Sequence, residues 1–277
     1  MPGKNISRPV IRMSRRDGVV STGKRTVPEE VPIAFSYGGS THAVMMATPA
    51  DLEDFATGFS LTEGIISSTD EIDCIDVLDA DRGFDVQVTL RDAQADALRL
   101  RRRHMAGPVG CGLCGIESIE QAVRVVPDVS NVRLGLDAET IAKAMNALNG
   151  AQPLHTETRA VHGAGFYVPE IGLIAVREDV GRHNALDKLT GAVLRSGHAG
   201  RDGIVVVTSR LSVEMVQKAA ILGSAILVAV SAPTALAIET ADAAGMTLIA
   251  LARGDDFEVF THFDRVVLDT AQAHSTS

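Results

Sequence analysis

The chain has 277 residues, 45% hydrophobic, 22% charged and only 4% aromatic, with a formal net charge of −9. Three cysteines are too few for a disulfide scaffold. The mean hydropathy of +0.14 is too high for a disordered chain, and an isoelectric point near 5.4 speaks against a general nucleic-acid binder. No apolar run reaches the roughly 18 residues of a membrane span, and 221–238, which comes nearest, is interrupted by Gly223, Ser231 and Pro233. With no exporting segment, the cytoplasm is the expected compartment.

Charge is unevenly spread. Residues 1–27 hold seven Lys and Arg against Asp17, a net of +6, which leaves −15 on the remainder. Residues 1–28 read as a solvated, flexible basic tail. Two β-rich runs, 31–37 and 41–48, are separated by Gly38-Gly39-Ser40 and read as a hairpin. Pro49 and the acidic Asp51 and Glu53 open a helix with Leu52, Phe55 and Phe59 on one face. Strands follow at 72–78 and 84–90, then a helix at 93–104, giving ββαββα over a small N-terminal domain, 29–105. Cys74 falls in the first of these strands and is expected to be buried.

Residues 106–116, with Gly110, Gly112 and Gly115 around Cys111 and Cys114, form a loop. Helices are expected from 116 to 126 and from 138 to 148, the latter capped by Asp137. A strand pair follows at 162–168 and 172–176. Beyond residue 178, helices at 184–194, 213–222 and 234–244 alternate with short apolar strands at 204–208, 226–230 and 246–251, and a last strand covers 266–268. Alternation of this kind points to an α/β domain over 117–277 with a mostly parallel sheet.

The Cys111-Gly112-Leu113-Cys114 loop is the sharpest chemical feature. A zinc site would need a second pair of soft ligands, and no Cys or His pair has finger spacing. A thioredoxin-type dithiol should follow a strand, which is missing. The third reading is a mobile sulfur-carrying loop, whose glycines let a thiol reach different pockets. Arg99, Arg101, Arg102, Arg103 and His104 lie upstream, and a helix starts downstream; positive charge at either side favours a thiolate or persulfide anion. The arginine run reads equally as a solvated helix end. His155-Thr156-Glu157 together with the Cys pair imitates a zinc deaminase signature, but in reversed order and without the adjacent Pro.

Four stretches together make the chain recognisable: Met45–Asp54 continuing as Gly58–Ile66, the Gly110–Gly115 loop, Glu178–Lys188, and Glu214–Lys218 through Ser231–Thr234. In this order they resemble the FdhD family, the formate dehydrogenase accessory sulfurtransferases, over about residues 31–265. The resemblance implies a C-terminal cytidine-deaminase-like α/β fold without the zinc, and a homodimer. It implies that sulfur is taken from a cysteine desulfurase as a persulfide on Cys111, with Cys114 assisting. The sulfur would pass to the molybdenum cofactor, a bis(molybdopterin guanine dinucleotide), before insertion into formate dehydrogenase. Phe260, Thr261, His262, Phe263, Asp264 and Arg265 match the segment associated with cofactor binding. His183 and Asn184 open the Arg182–Lys188 cluster and are read as site residues.

Open parallel sheets bind ligands beyond the carboxyl ends of their strands, where helix N-termini favour phosphates. That points to Thr208-Ser209-Arg210 and Ser231–Thr234, with Arg210 as a phosphate contact. In one departure, many relatives carry T-G-G-x-H where this chain has Thr158-Arg159-Ala160-Val161-His162. A cofactor-binding chaperone without sulfur transfer and a zinc-dependent deaminase-like hydrolase are the competing functions.

Overall fold

The structure is a computed structural model that describes residues 5–91 and 126–268. The predicted helix at 93–104, all but the last residue of the predicted helix at 116–126, and the predicted loop with Cys111 and Cys114 lie outside the described residues. The chain forms two compact units. Within the described residues, the first holds 5–91, 152–164 and 175–198, and the second holds 126–151, 165–174 and 199–268. The division does not follow the expected boundary at 106–116. Two segments assigned from sequence to the C-terminal domain, 152–164 and 175–198, pack with the first unit.

Residues expected as a flexible tail form a hairpin in the first unit. Strands β1 (Ser7–Arg16) and β2 (Val19–Pro28) pair antiparallel over ten residue pairs. Asp17 (φ 49°) and Gly18 (φ 83°) both take the left-handed conformation that a two-residue hairpin turn requires. The ribbon's root is tied down where Arg8 meets Glu29 at 3.2 Å, Ser7 Oγ donates to Glu157 and Arg25 donates to the Thr158 carbonyl.

Strands β3 (Val31–Tyr37), β4 (Ser40–Ala47), β5 (Ile72–Ala80) and β6 (Gly83–Leu90) make a four-stranded sheet in the order β4-β3-β6-β5. β3 and β6 are parallel, the other pairs antiparallel. Alternation puts Ile33, Phe35, Tyr37, Val86 and Val88 on one face, where they pack with Leu52, Phe55 and Phe59 of helix α1 (Leu52–Thr62). Phe35 stacks on Phe59 with ring centroids 4.6 Å apart and meets Phe55 edge-on at 4.9 Å. Cys74 is exposed, contrary to the sequence expectation: β5 is an edge strand and Cys74 opposes Thr89 on the face away from α1.

In the second unit, β7 (Leu136–Asp137) leads into helix α2 (Ala138–Gly150), and Asp137 accepts from the Thr140 N–H as foreseen. Hydrogen bonding from the Thr140 side chain first, and then from its N–H, holds the Asp137 carboxyl below its ordinary value. Helix α3 (Pro153–Thr158) and helix α4 (Arg182–Arg195) belong to the first unit, and strands β8 (His162–Val168) and β9 (Gly172–Asp179), which come between them in the chain, contribute residues to each unit. Strands β10 (Ile204–Val207), β11 (Ile226–Ala229) and β12 (Thr247–Arg253) alternate with helices α5 (Val213–Leu222) and α6 (Ala235–Ala243). β13 (Asp256–Val259) completes a six-stranded sheet in the order β13-β12-β11-β10-β8-β9. β10, β11 and β12 run parallel, and their apolar runs are buried on both faces. β13 returns antiparallel, and β14 (Val266–Val267) pairs with β7. This is the expected α/β class with parallel strands. No helix among the described residues is long and apolar enough to cross a membrane.

Candidate functional site

Two of the four signature stretches meet inside the first unit. Asp179 ends β9 and is fully buried, as is Lys188 on α4, and their charges lie 2.7 Å apart. Lys188 Nζ also donates to the Thr48 carbonyl at 2.8 Å and lies over the Phe55 ring. Asp179 accepts from the N–H groups of Thr48 and Gly181 and from Asn184 Nδ2. Asn184 Nδ2 also donates to the Met46 carbonyl, and Thr62 Oγ1 donates to Asp187 at 2.7 Å. A buried charge is tolerable only when paired and hydrogen-bonded. Asp179 and Lys188 meet that condition through backbone supplied by the Met45–Asp54 stretch.

Helices α1 and α4 approach closely because Gly58 faces the Asp187 carbonyl and Gly191 faces the Asp54 carbonyl, with no room for a Cβ at either. Around the rim, Arg177 and Arg195 each meet Asp54 at 2.6 Å. Asn184, predicted as a site residue, is thus part of the buried network, and His183 is the second residue of α4 beside it. His162 opens β8. Burial first, then the charge of Arg182, hold its imidazole below the ordinary 6.5, while Asp179 pulls the other way. The His155-Thr156-Glu157 triplet lies on α3, with His155 Nδ1 at 3.2 Å from the Val161 carbonyl. Arg159 caps α3 in the left-handed conformation (φ 56°), at a position where the resemblance implies glycine in many relatives.

The other predicted residues lie in the second unit. Loops after β10 and β11 run side by side: Leu211 and Pro233 bridge, and the Leu211 N–H reaches the Ala232 carbonyl at 3.3 Å. Thr234 caps α6 by accepting from the Ala237 N–H. Ser212 sits at the corresponding position of α5 but makes no cap, and its buried Oγ has no hydrogen-bond partner. Arg210, two residues earlier, is exposed.

The 260–265 segment splits in role. Thr261 is buried, donating to the Met246 carbonyl and accepting from the Leu248 N–H. Arg265 is buried, and its guanidinium donates to the carbonyls of Gly245, Val129 and Ser130. His262 turns left-handed (φ 47°) and its Nε2 lies 2.9 Å from the Asp242 carbonyl. Phe260 is half-buried, whereas Phe263 and Asp264 are exposed. Among the described residues no group of three or more His, Cys, Asp or Glu is placed to hold a metal ion.

The fold and the buried network define a mixed α/β protein of two units, and its sequence carries Cys111 and Cys114 among Gly110, Gly112 and Gly115. Residues 28–267 match the FdhD/NarQ family, and the chain belongs to it. It is 70% identical over 261 residues to a protein of Agrobacterium fabrum named sulfur carrier protein FdhD, covering 94% of this chain and 96% of that protein. A Brucella abortus protein of the same name is 53% identical, covering 96% and 99%. Among solved structures, a formate dehydrogenase accessory protein from Desulfotalea psychrophila superposes with a TM-score of 0.76 at 25% identity, covering 95% of this chain and all of that one.

Proposed function

We propose that this protein is a sulfur carrier in formate dehydrogenase maturation, working in the cytoplasm. The observation that carries the reading is the 70% identity, over nearly the whole chain, to a relative named sulfur carrier protein. Cys111 accepts sulfur from a cysteine desulfurase. Its thiolate attacks the terminal sulfur of the donor's persulfide, the donor S–S bond breaks, and the donor cysteine leaves as thiolate. Sulfur at this level needs two electrons to become sulfide. Cys114 supplies them by attacking Cys111 Sγ, which forms the Cys111–Cys114 disulfide and expels hydrosulfide toward the substrate.

That substrate is the molybdenum cofactor, a bis(molybdopterin guanine dinucleotide). Its phosphates suit the open N-terminus of α5, where Ser212 Oγ is unpartnered and Arg210 is exposed. The same reading places Phe263, Asp264 and His262 against the ligand's rings and polar edges. Thr261 and Arg265 support it by fixing the segment from beneath.

The test is an intact-mass measurement after incubation with a cysteine desulfurase and cysteine. A reducible gain of one sulfur atom is expected in the wild type and lost in Cys111→Ala. Persistence of the gain in that variant removes Cys111 from the role. A Cys111→Ala, Cys114→Ala double variant that still matures formate dehydrogenase would favour a chaperone instead.

A further inference from the structure

Strand β5 closes the four-stranded sheet at the edge opposite β4. Alternate residues of an edge strand turn their N–H and C=O groups away from the sheet, ready to pair with another strand. Among the described residues, 73–78 make no backbone hydrogen bond outside their pairing with β6. This edge carries its own charge. From residue 70 to residue 81 the chain holds six carboxylates and no Lys or Arg. Asp70, Asp73 and Asp76 are exposed.

A cavity of about 260 Å³ opens at the start of that edge, lined from β5, α1 and the last residue of α4. Ile72 and Ile75 give it apolar wall, Thr57 and Thr69 polar wall, and Glu53, Asp73 and Arg195 its charges. It is smaller than the roughly 300–1,000 Å³ of small-molecule sites, so it suits one long side chain. Asp73 is the bulged residue of β5: Ile72 and Cys74 have partners on β6 and Asp73 has none. Bulges re-aim side chains, and this one joins the cavity lining. Arg195 is held at 2.6 Å by both Glu53 and Asp54. Asp73 has no ion pair among the described residues.

We infer that β5 takes an added strand from a partner protein, an extended segment bearing Lys or Arg, with one cationic side chain seated in the cavity against Asp73. In strand addition the main chain gives affinity and pockets for alternate side chains give specificity. Both parts are present: the stretch 73–78 and the cavity at its start. The charge of the edge itself selects the occupant. Like charges directly opposite each other are destabilising, which disfavours a second β5, and opposite charges are favoured. The aliphatic stem of the inserted Lys or Arg would cover Ile72 and Ile75. The inference is independent of the sulfur-carrier reading.

A fluorescein-labelled peptide of alternating Lys and Val, nine residues long to match β5, tests it on the full chain by anisotropy. Binding is expected, and hydrogen exchange in the complex should slow at 73–78. The same peptide N-methylated throughout lacks every ladder donor and should bind roughly tenfold more weakly. Asp73→Lys should weaken binding roughly fivefold, and Asp73→Asn by less. Both variants should keep the thermal unfolding midpoint, because the side chain is exposed. Failure of the Lys and Val peptide to bind overturns the inference, and so does exchange protection confined to another surface. Equal affinity for the N-methylated peptide, or in Asp73→Lys, would reduce the contact to unspecific charge attraction and overturns it as well.

Discussion

Asp179 and Lys188 form an ion pair of 2.7 Å in which neither side chain is exposed to water. Desolvating two charges is costly, and their attraction returns that cost only while both are present and hydrogen-bonded. Lys188→Met should therefore lose about 3–5 kcal/mol by stranding the Asp179 carboxylate. The double variant Asp179→Asn, Lys188→Met should recover more than half of it. Urea unfolding measures both, and a double variant no better than the single would show that the pair is not what the network depends on.

The same network needs α1 and α4 in close contact. Ala at Gly58 would drive its methyl into the Asp187 carbonyl, a backbone atom that cannot rotate away. Gly58→Ala should cost about 3 kcal/mol, at the upper end of overpacking effects. Gly150, at the end of α2, faces open space, so Gly150→Ala should be neutral or stabilising by up to about 1 kcal/mol. Equal losses in the two variants would refute the close-contact account.

The parallel strands were legible because burial on both faces writes itself as an uninterrupted apolar run: 204–207 reads Ile-Val-Val-Val and 226–229 reads Ile-Leu-Val-Ala. Helix α5 matched its expected ends, Val213 and Leu222, since Ser212 and Gly223 punctuate it locally. The hairpin at 7–28 was missed because its outer face leaves Ile11 and Met13 in solvent, so no simple apolar-in, polar-out alternation emerges. The Asp17-Gly18 turn was the available signal. Cys74 misled because a strand residue's burial depends on which face and which edge it occupies, and both are set by partners far away in sequence. The Arg182–Lys188 cluster was visible as a cluster, but the burial of Lys188 rests on Thr48, 140 residues distant.

Arg265 shows the same limit. Its acceptors include the carbonyls of Val129 and Ser130, and nothing local announces them. Arg265→Lys should lose about 3 kcal/mol of stability, because an ammonium cannot reproduce the planar fork and leaves buried carbonyls unmet. Arg210→Ala should change stability by less than about 0.5 kcal/mol, as an exposed side chain. It should instead weaken binding of a guanine dinucleotide, read by isothermal titration. Unchanged affinity in Arg210→Ala would take the phosphate contact away from that residue.

His162 gives the fold a pH dependence of known sign. Its imidazole titrates below the ordinary 6.5, so the folded state binds fewer protons than the unfolded chain. Its contribution is fully present above pH 6.5 and declines as pH falls toward the lowered value, then levels off. The effect is modest because the ring is only half-buried. Urea midpoints should fall more steeply between neutral pH and pH 5 in the wild type than in His162→Gln. Parallel curves would show that His162 does not contribute.

Arg159 occupies the left-handed region at the end of α3, with φ 56°. A side chain there brings Cβ against the following carbonyl, and glycine avoids the clash. Glycine, which the resemblance to the T-G-G-x-H pattern implies at this position, would suit this backbone, whereas Arg159 carries the steric cost of it. Arg159→Gly should raise stability by about 0.5–1 kcal/mol, the relief of the left-handed cost less the extra entropy of glycine in the unfolded chain. Ala160 is the second departure from that pattern, but its φ is not positive, so Ala160→Gly should bring no such gain and should lose stability through entropy alone. Thermal unfolding of the two variants side by side separates the explanations. A gain in both, or in Ala160→Gly only, would mean that the glycine pair serves ligand approach and not the end of α3.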